Sequence, residues 1–447
     1  MKSVDKEKPK MKKIFMQFML LSTLVFLSYL SGTAYAQQEE KVITFQPFVW
    51  KSEPPEGCPF DQSTDITGIR FNGKCSNYHV ADTWYPSWAS DGNLYSPWTD
   101  GETMGLRSWS SGFTNDGKPD SQGNVQFRAT TSQAMVIGDD PIRLEIKNVG
   151  GLIQADPYPY GGRYPCGSLV YNGVWYYGTY TLAPYGITRW GDGMDYNWPW
   201  LGPFVGFRIS TDFGKSWIET PHTPSEPLFG ENGMGGYPAK IGSPHFVDFG
   251  KNMEHSPDGK AYLITHGAEP DDPEPRFANL SWITGDQIYL IRVSPGIGNM
   301  NDASQYEFFY GHNSTGNPLW TNDFNKIEPL IDWNNNCGCV TMTYNAPLKK
   351  YLMCITDGWP TAGKMNTFIL ESDLITGPWK LIVYMKEFGE QGYFVNFPSK
   401  FISADGRTAW LCYSGNYAKD WNGMQIRENP PGSHYGLVLQ EVTLLGK

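Results

Sequence analysis

The residues best suited to chemistry lie in one stretch at 81–101, which reads ADTWYPSWASDGNLYSPWTDG. Asp-Gly between two alternating segments is a strong hairpin signal, so the segments on either side of Asp91-Gly92 should pair as antiparallel strands. If these two residues form the centre of the turn, Asp82 lies opposite Gly101 and beside Asp100. The sequence therefore predicts that Asp82 and Asp100 are neighbours at the end of the hairpin remote from the turn.

Two neighbouring carboxyl groups titrate at different pH, because the charge on one disfavours the charge on the other. One can then donate a proton while the other accepts one or attacks, which is the requirement of glycoside hydrolysis. The alternative interpretation is that Asp82 merely ends a strand and that Asp100 forms a polar turn before Gly101, since Asp before Gly is a common turn pair. The sequence leaves both interpretations open.

The same register, applied to other predicted hairpins, adds candidates at the ends or starts of strands: Arg163, His245, His266, Asp357 and Lys400. His245 and His266 could titrate near neutral pH. A histidine in a strand is, however, more often a structural residue. Arg163 could clamp a carboxylate or a sulfate, or it could form a loop salt bridge.

Aromatic residues are abundant around these positions, at 15% of the chain. Flat aromatic faces stack on sugar rings, so Trp84, Trp98 and Tyr164 are candidate substrate-binding residues. Tryptophans at alternating strand positions could instead pack between sheets. The segment WGDGMDYNWPW at 190–200 has the composition of a loop, where exposed aromatic residues are more often functional.

The elements that must position these residues are short strands and turns, because the chain has 49 glycines and 33 prolines and shows no sustained helical periodicity. The sequence predicts five hairpins with these strand pairs: HVADTWYPSW and NLYSPWTDG, CGSLVYN and VWYYGTYTL, SPHFVDF and KAYLITHGA, CVTMTYN and YLMCITDG, SKFISA and TAWLCYSGN. Repeated sheet units favour an all-β fold, a β-propeller with five blades. A sandwich or another blade count is the alternative.

The first 36 residues have the features of a secretory signal peptide. Lys12 and Lys13 precede an apolar run, and Ala34-Tyr35-Ala36 provides the small residues of a cleavage site. The alternative is a membrane anchor, but the run is short and contains Gln17. We expect a secreted or periplasmic protein with a lead segment at 37–65 and one propeller domain at 66–447.

Charge and cysteine content restrict the partners and the cofactors. The formal charge is −11, and the first 36 residues carry six Lys against Asp5 and Glu7, so the remainder is near −15. This excess argues against nucleic acid or an anionic membrane as a partner. We expect a monomer without membrane insertion. The seven cysteines predict partial disulfide pairing, with Cys58–Cys75 favoured, while no cysteine or histidine spacing indicates a metal or another cofactor.

The stretch NLYSPWTDG, preceded by the Asp-Gly turn, resembles the DUF4185-type propellers, a family that includes endo-D-arabinanases. The chain is more distantly similar to five-bladed glycosidases of the arabinanase and fructosidase kind. The resemblance is specific over about 77–105 and implies a five-bladed propeller that cleaves a polysaccharide with Asp82 and Asp100. The Gly-Asp-Thr that usually closes the strand is Thr99-Asp100-Gly101 in this chain.

Three hypotheses follow for function. The first is a glycoside hydrolase that uses Asp82 and Asp100 on a polysaccharide or its oligosaccharides. The second is a lyase or dehydratase that acts on uronic-acid-containing oligosaccharides of the algal ulvan type, with a base and a cation drawn from His245, His266, Arg163 and Lys400. The third is a propeller that binds glycans without catalysis.

Overall fold

A computed structural model describes residues 41–108, 110, 114–119, 125–155, 163–182, 201–231, 238–269, 284–358, 364–415 and 427–446. Its strands form five antiparallel sheets, each of which is one blade of a β-propeller. The prediction of an all-β propeller with five blades is therefore confirmed. The predicted signal peptide lies outside the described residues and stays a prediction.

The first three strands of the chain belong to the last blade: β1 (Lys41–Thr44), β2 (Phe48–Val49) and β3 (Ile66–Tyr78). Blade 1 contains β4 (Val80–Asp82), β5 (Ser87–Trp88), β6 (Leu94–Thr103), β7 (Leu106–Ser108), β8 (Thr114–Pro119), β9 (Val125–Ile137), β10 (Glu145–Asn148) and β11 (Ile153–Ala155). Blade 2 contains β12 (Arg163–Tyr171), β13 (Val174–Leu182) and β14 (Leu201–Ser210).

Blade 3 contains β15 (His245–Phe246), β16 (Ala261–Gly267), β17 (Gln287–Val293), β18 (Tyr306–His312), β19 (Pro318–Thr321) and β20 (Ile331–Asp332). Blade 4 contains β21 (Gly338–Asn345), β22 (Lys350–Asp357), β23 (Asn366–Ser372) and β24 (Lys380–Met385). Blade 5 adds β25 (Tyr393–Asn396), β26 (Thr408–Ser414) and β27 (Leu437–Gly446) to the first three strands. Within the described part, helical structure consists of short 3-10 turns at Lys251–Met253, Ala303–Gln305, Phe324–Lys326 and Ser399–Phe401. No helix among the described residues is long and apolar enough to span a membrane.

The hairpin between β12 and β13 shows how local sequence sets a blade. Asn172 and Gly173 form its two-residue turn with φ angles of 50° and 79°, and Tyr171 pairs with Val174. A turn with positive φ at both central residues matches the twist of the flanking strands, and Asn-Gly tolerates that conformation best. The predicted turn is therefore observed in blade 2.

The inner strand of blade 5 differs from the prediction. SKFISA was expected to be that strand, but Ser399–Phe401 is a 3-10 turn and the inner strand is β25, which pairs with β26. The segment follows Pro398, which cannot donate a ladder hydrogen bond. The strand thus ends at Asn396, before this proline.

The N-terminal and C-terminal strands close the ring. β3 pairs with β27 over a long register that runs from Tyr78 opposite Leu437 to Ile66 opposite Gly446. β1 and β2 also pair with β3, so Lys41–Thr44 and Phe48–Val49 of the predicted lead segment belong to the fifth sheet. Closure of this kind removes a free edge and joins the start of the propeller to its end.

All seven cysteines are free thiols, so the predicted Cys58–Cys75 disulfide is not formed. Cys75 lies in the core of blade 5, where its thiol is 3.6 Å from the carbonyl oxygen of Gly432. Cys58 packs instead against the separate apolar cluster of blades 3 and 4. The two residues therefore belong to different packing layers, although the sequence separates them by a short segment.

The closure predicts that Gly436 cannot be replaced. A Cβ on Gly436 would lie 2.1 Å from the backbone oxygen of His79, which is far inside a normal contact. We expect Gly436→Ala to lower the free energy of unfolding by about 1–3 kcal/mol or more, because the backbones must separate. Gly151→Ala is the matched control, since a Cβ there meets no atom within 4 Å. Denaturant unfolding of both variants checks this, and equal stabilities would contradict it.

Candidate active site

The hairpin at 81–101 has a different register from the predicted one. The Ala89 N–H donates to the carbonyl oxygen of Asn93 at 3.0 Å, so three residues rather than two connect the strands. A further irregularity in β4 places Asp82 opposite Thr99 instead of Gly101. Asp100 follows Thr99 directly, so the two aspartates remain on adjacent strand positions, as the sequence predicted.

Close approach of the two strand backbones shapes this end of the hairpin. A Cβ on Gly101 would lie 1.8 Å from the carbonyl oxygen of Val80, so only glycine fits there. Thr83 and Asp100 have positive φ angles of 66° and 50°, a conformation that costs energy in residues other than glycine. The candidate pair therefore includes one residue with a strained backbone, Asp100, and the other aspartate, Asp82, is followed directly by a second strained residue, Thr83.

The carboxylate of Asp100 is held by Ser110. The backbone N–H of Ser110 donates to Asp100 Oδ1 at 2.8 Å, and its hydroxyl donates to Oδ2 at 2.6 Å. The backbone oxygen of Asp100 accepts a hydrogen bond from the Tyr435 hydroxyl at 2.6 Å. Asp100 is therefore fixed on its side chain by blade 1 and on its backbone by blade 5.

The carboxylate of Asp82 is buried, with 8% of the residue exposed. The Thr83 hydroxyl donates to Asp82 Oδ1 at 2.7 Å, and the Tyr393 hydroxyl donates to Oδ2 at 2.8 Å. Both oxygens are thus occupied by neutral hydroxyl donors.

Burial and mutual repulsion shift the pKa values of the pair upward. Burial raises the pKa of Asp100 to about 6, against the opposing effect of its hydrogen bonds from Ser110. Burial, and then the charge of Asp100, raise the pKa of Asp82 well above its ordinary value. Because the groups interact, their protons leave in two steps that belong to the pair. Near neutral pH the pair holds a proton that most surface carboxyl groups have lost.

Tyrosines from three blades lie close enough to the pair for the charge of Asp82 to affect their pKa values. They are Tyr85 from blade 1, Tyr164 and Tyr180 from blade 2, and Tyr393 and Tyr435 from blade 5. Burial raises the pKa of every one of these phenols well above the ordinary value, so all remain protonated. Among the predicted substrate-binding residues whose side chains are described, Tyr164 lies near the aspartates. Burial first, and then the charge of Asp100, raise its pKa.

His245 contacts Tyr85, one of the tyrosines around the pair. Its ring stacks on Tyr85 with centroids 3.8 Å apart, and its Nε2 is 3.3 Å from the hydroxyl oxygen of Ser243. Burial, with a smaller effect from His266, lowers the pKa of His245 well below its ordinary value. His245 and His266 are both buried, and His245 lines a small pocket together with Thr341 and Asn396.

The two predicted tryptophan platforms lie in the core. Trp84 and Trp98 are 1% and 0% exposed, and their rings stack on each other with centroids 6.5 Å apart. The Trp84 indole N–H donates to the carbonyl oxygen of Ala81, and that of Trp98 donates to Asn148. Both rings belong to the apolar core of blade 1. Strand alternation turns Trp98 of β6 inward, whereas Trp84 lies in the segment between β4 and β5.

Lys400 also lies away from the pair. Its ammonium group donates to the carbonyl oxygen of Gly92 at 2.6 Å and pairs with Asp139 at 2.9 Å. Gly92 is in the turn, at the end of the hairpin opposite Asp82. The ion pair of Lys400 fastens blade 5 to blade 1, and a role of Lys400 in substrate binding stays a prediction.

Asp357 and Arg163 occupy strand ends in blades 4 and 2. Asp357 ends β22, where its Oδ2 accepts a hydrogen bond from the Asn366 side chain at 3.3 Å. Arg163 begins β12 opposite Thr181, and its side chain lies outside the described part. The predicted aromatic loop at 190–200 lies outside it as well. Substrate binding by these residues stays a prediction.

Sequence reasoning missed the groups that hold the pair, namely Ser110, Tyr393 and Tyr435. Tyr393 is 311 residues from Asp82, and Tyr435 is 335 residues from Asp100, so no local spacing could connect them. Ser110 was detectable in principle, because Met104-Gly105 predicts a second tight turn that folds the chain back along β6. Ring closure alone brings the tyrosines to the aspartates.

Another carboxyl group with a raised pKa, that of Glu231, lies in the segment between β14 and β15. Glu231 accepts hydrogen bonds from the N–H groups of Lys240 at 2.7 Å and Ile241 at 2.9 Å. Burial raises its pKa to about 7, against these hydrogen bonds. Lys240 also pairs with Glu269 at 2.9 Å. This group was missed because Glu231 follows a Phe-Gly segment that carries no strand or turn pattern of its own.

No cluster of three or more His, Cys, Asp or Glu residues in the described ranges has a geometry that could hold a metal ion. At the pair itself, the groups that could take part in chemistry are side chains of this protein. They are one carboxyl group that burial keeps protonated, one that Ser110 stabilises as an anion, and several neutral phenols.

Comparison with known proteins gave structural similarity alone. No protein-family model matches the sequence, so the resemblance to the DUF4185-type propellers is not confirmed, and no curated protein matches it either. A protein of Bacteroides ovatus ATCC 8483 is 12% identical, with 88% of this chain and 96% of that chain covered and a TM-score of 0.46. RS223-β-xylosidase is 14% identical over 82% and 92%, with a TM-score of 0.40. The α-L-arabinofuranosidase PaAbf62A of Podospora anserina, solved with cellotriose, is 10% identical over 89% and 97%, with a TM-score of 0.39.

The raised pKa of Asp82 predicts a stability that depends on pH. A carboxyl group whose pKa is higher in the folded state stabilises the fold below its unfolded pKa, and this contribution is lost as the pH rises above that value. Asp82→Asn removes the charge, so we expect it to raise the free energy of unfolding at pH 8 by about 1 kcal/mol or more relative to wild type. The difference should disappear near pH 4.

Asp91→Asn in the same hairpin is the control with the opposite sign. Although partial burial opposes it, hydrogen bonds from Asn93 and Tyr95 lower the pKa of Asp91. Its contribution is present above the unfolded pKa, so Asp91→Asn should destabilise at pH 8. Urea unfolding at pH 4, 6 and 8 measures both variants. Destabilisation by Asp82→Asn at every pH would contradict the assignment of a raised pKa.

Proposed function

We propose that this protein is a glycoside hydrolase whose catalytic pair is Asp82 and Asp100. The observation that supports the proposal is the placement of two interacting carboxyl groups on adjacent strands, with their pKa values raised by burial. Raised and separated pKa values identify groups that can act as acid and base near neutral pH.

The surroundings of the two carboxyl groups give them different roles. Asp100 accepts an N–H and an O–H from Ser110, and two hydrogen bonds to a carboxylate favour its anionic form. Asp82 is more deeply buried and faces the charge of Asp100, so it holds the proton. In this assignment Asp82 donates its proton to the oxygen of the leaving sugar. Asp100 takes a proton from the attacking water or attacks the anomeric carbon, depending on the separation of the two groups.

The tyrosines supply the binding surface. Tyr85, Tyr164 and Phe394 are each exposed by several per cent, and the hydroxyls of Tyr393 and Tyr435 touch the aspartates. Phenol rings present both a flat apolar face and a neutral hydrogen-bond donor, which suits the faces and hydroxyl groups of a sugar. A polysaccharide or its oligosaccharides is therefore the proposed substrate.

Elimination or dehydration of uronic-acid oligosaccharides is the second candidate function. It is favoured by the tyrosine hydroxyls at the pair, since a tyrosine can exchange a proton in such a reaction. The histidine and lysine that the sequence suggested for it do not lie together, because His245 is stacked under Tyr85 and Lys400 contacts the far turn. The hydrolase proposal uses groups that are in place and is therefore preferred.

Activity of aspartate variants tests the proposal. Asp82→Ala and Asp100→Ala should each lower the rate of reducing-end release by about 10²- to 10⁴-fold, the usual contribution of one acid or base. Asp91→Ala, in the same hairpin but remote from the pair, should keep the wild-type rate. The measurement is reducing-end release from a panel of neutral and uronic-acid polysaccharides.

Three results would overturn the hydrolase proposal. Full activity in both Ala variants would remove the pair from the mechanism. An ultraviolet-absorbing unsaturated uronate, formed without water addition, would assign elimination or dehydration. Affinity for a polysaccharide without any product would assign a glycan-binding propeller.

A further inference from the structure

The backbone of Asp100 is clamped by a residue from the other end of the chain. Asp100 has a φ of 50°, and its carbonyl oxygen accepts the Tyr435 hydroxyl at 2.6 Å across 335 residues of sequence. We propose that Tyr435 is a positioning residue that sets the placement of Asp100 relative to Asp82, so that ring closure determines the geometry of the catalytic pair. This inference rests on the proposed function for its kinetic consequence, but its structural consequence can be measured without a substrate.

The conformation of Asp100 needs external support. A left-handed φ in a residue other than glycine costs on the order of 1–3 kcal/mol, and it persists only where surrounding contacts enforce it. Ser110 holds the carboxylate, and strand pairing holds Gly101 opposite Ser108. The Tyr435 hydroxyl binds the carbonyl oxygen of Asp100 itself. Tyr435 thus adds a contact from blade 5, on the strained residue, to the contacts that blade 1 supplies.

Tyr435 is itself held by a rigid segment. The N–H of Gly415 donates to the carbonyl oxygen of His434 at 3.0 Å, and the Ser414 hydroxyl donates to that of Gly436 at 2.8 Å. Gly436 packs against the backbone of His79 too closely for any side chain, and Leu437 then pairs with Tyr78. Because the backbone is held on both sides of Tyr435, its hydroxyl can fix another residue within the narrow tolerance that catalysis requires.

The same hydroxyl also faces the second aspartate. Tyr435 forms a side-chain interaction with Asp82 and lies beside the Tyr393 hydroxyl, which itself donates to Asp82 Oδ2. One phenol oxygen therefore contacts the backbone of one carboxyl residue and the side chain of the other. The groups that face the pair from the surrounding blades are Thr83, Tyr85, Ser110, Tyr164, Tyr180, Cys339, Tyr393 and Tyr435.

Loss of this clamp has a defined electrostatic signature. In Tyr435→Phe the ring still packs, but Asp100 can relax and move away from Asp82. The repulsion that separates the two titration steps then weakens, which brings their pH midpoints closer, whereas the lost hydroxyl donor by itself raises the pKa of Asp82 and moves the midpoints apart. With the acid and base out of place, kcat should fall by about 10- to 100-fold while KM changes little.

The experiment follows the side-chain carboxyl ¹³C signals of aspartate in a pH titration of the full protein, with Asp82→Asn and Asp100→Asn used for assignment. Tyr393→Phe is the matched control, because it removes a hydroxyl that donates to Asp82 Oδ2 at 2.8 Å and leaves the Tyr435 hydrogen bond to the Asp100 backbone in place. Thermal unfolding of both Phe variants shows whether they are equally well folded.

A smaller separation of the two midpoints in Tyr435→Phe than in Tyr393→Phe supports the positioning role, because both variants lose a donor to Asp82 and only the first releases the Asp100 backbone. An equal or larger separation in Tyr435→Phe overturns it. The titration decides this independently of catalysis. If the Asp82 and Asp100 variants keep full activity while the separations still differ in this way, the proposed function fails and the positioning role stands.

Discussion

The pairing of β3 with β27 is the constraint on which the rest of the molecule depends. It joins Ile66–Tyr78 to Leu437–Gly446 and so closes five sheets into a ring. Closure brings Tyr393 and Tyr435 to Asp82 and Asp100, across more than 300 residues. A free edge would leave both ends of the ring to move independently, and the carboxyl pair would lose one half of its support.

The pair illustrates a balance between burial and hydrogen bonding. A buried carboxyl group resists ionisation, and a second one beside it resists further. The chain offsets this cost unequally, with an N–H and an O–H on Asp100 and with hydroxyl donors alone on Asp82. This asymmetry gives two chemically identical side chains different tendencies to hold a proton. The strain stored at Thr83 and Asp100 is carried by the same contacts.

Several local patterns predicted the fold correctly, and their failures have physical causes. Asn172-Gly173 specified its turn because both residues accept positive φ. Asp91-Gly92 specified a hairpin but not its register, since a three-residue connection and a bulge are equally compatible with the same letters. Asp82 and Asp100 are neighbours in spite of this register error, because Asp100 lies between Thr99, the observed partner of Asp82, and Gly101, the predicted one. The burial of Trp84 and Trp98 could not be predicted from their neighbours, because local sequence does not specify which side of a sheet an aromatic residue faces.

By itself, the sequence determined the all-β class, the rhythm of five hairpins, and the neighbourhood of Asp82 and Asp100, because turns and strand alternation are encoded within a few residues. Tertiary structure alone decided which groups surround that pair. It placed tyrosines from blades 2 and 5 at the carboxyl groups, placed Lys400 at the far turn and buried His245 against Tyr85. These contacts depend on ring closure, and a contact between positions 100 and 435 leaves no mark in the residues near either one.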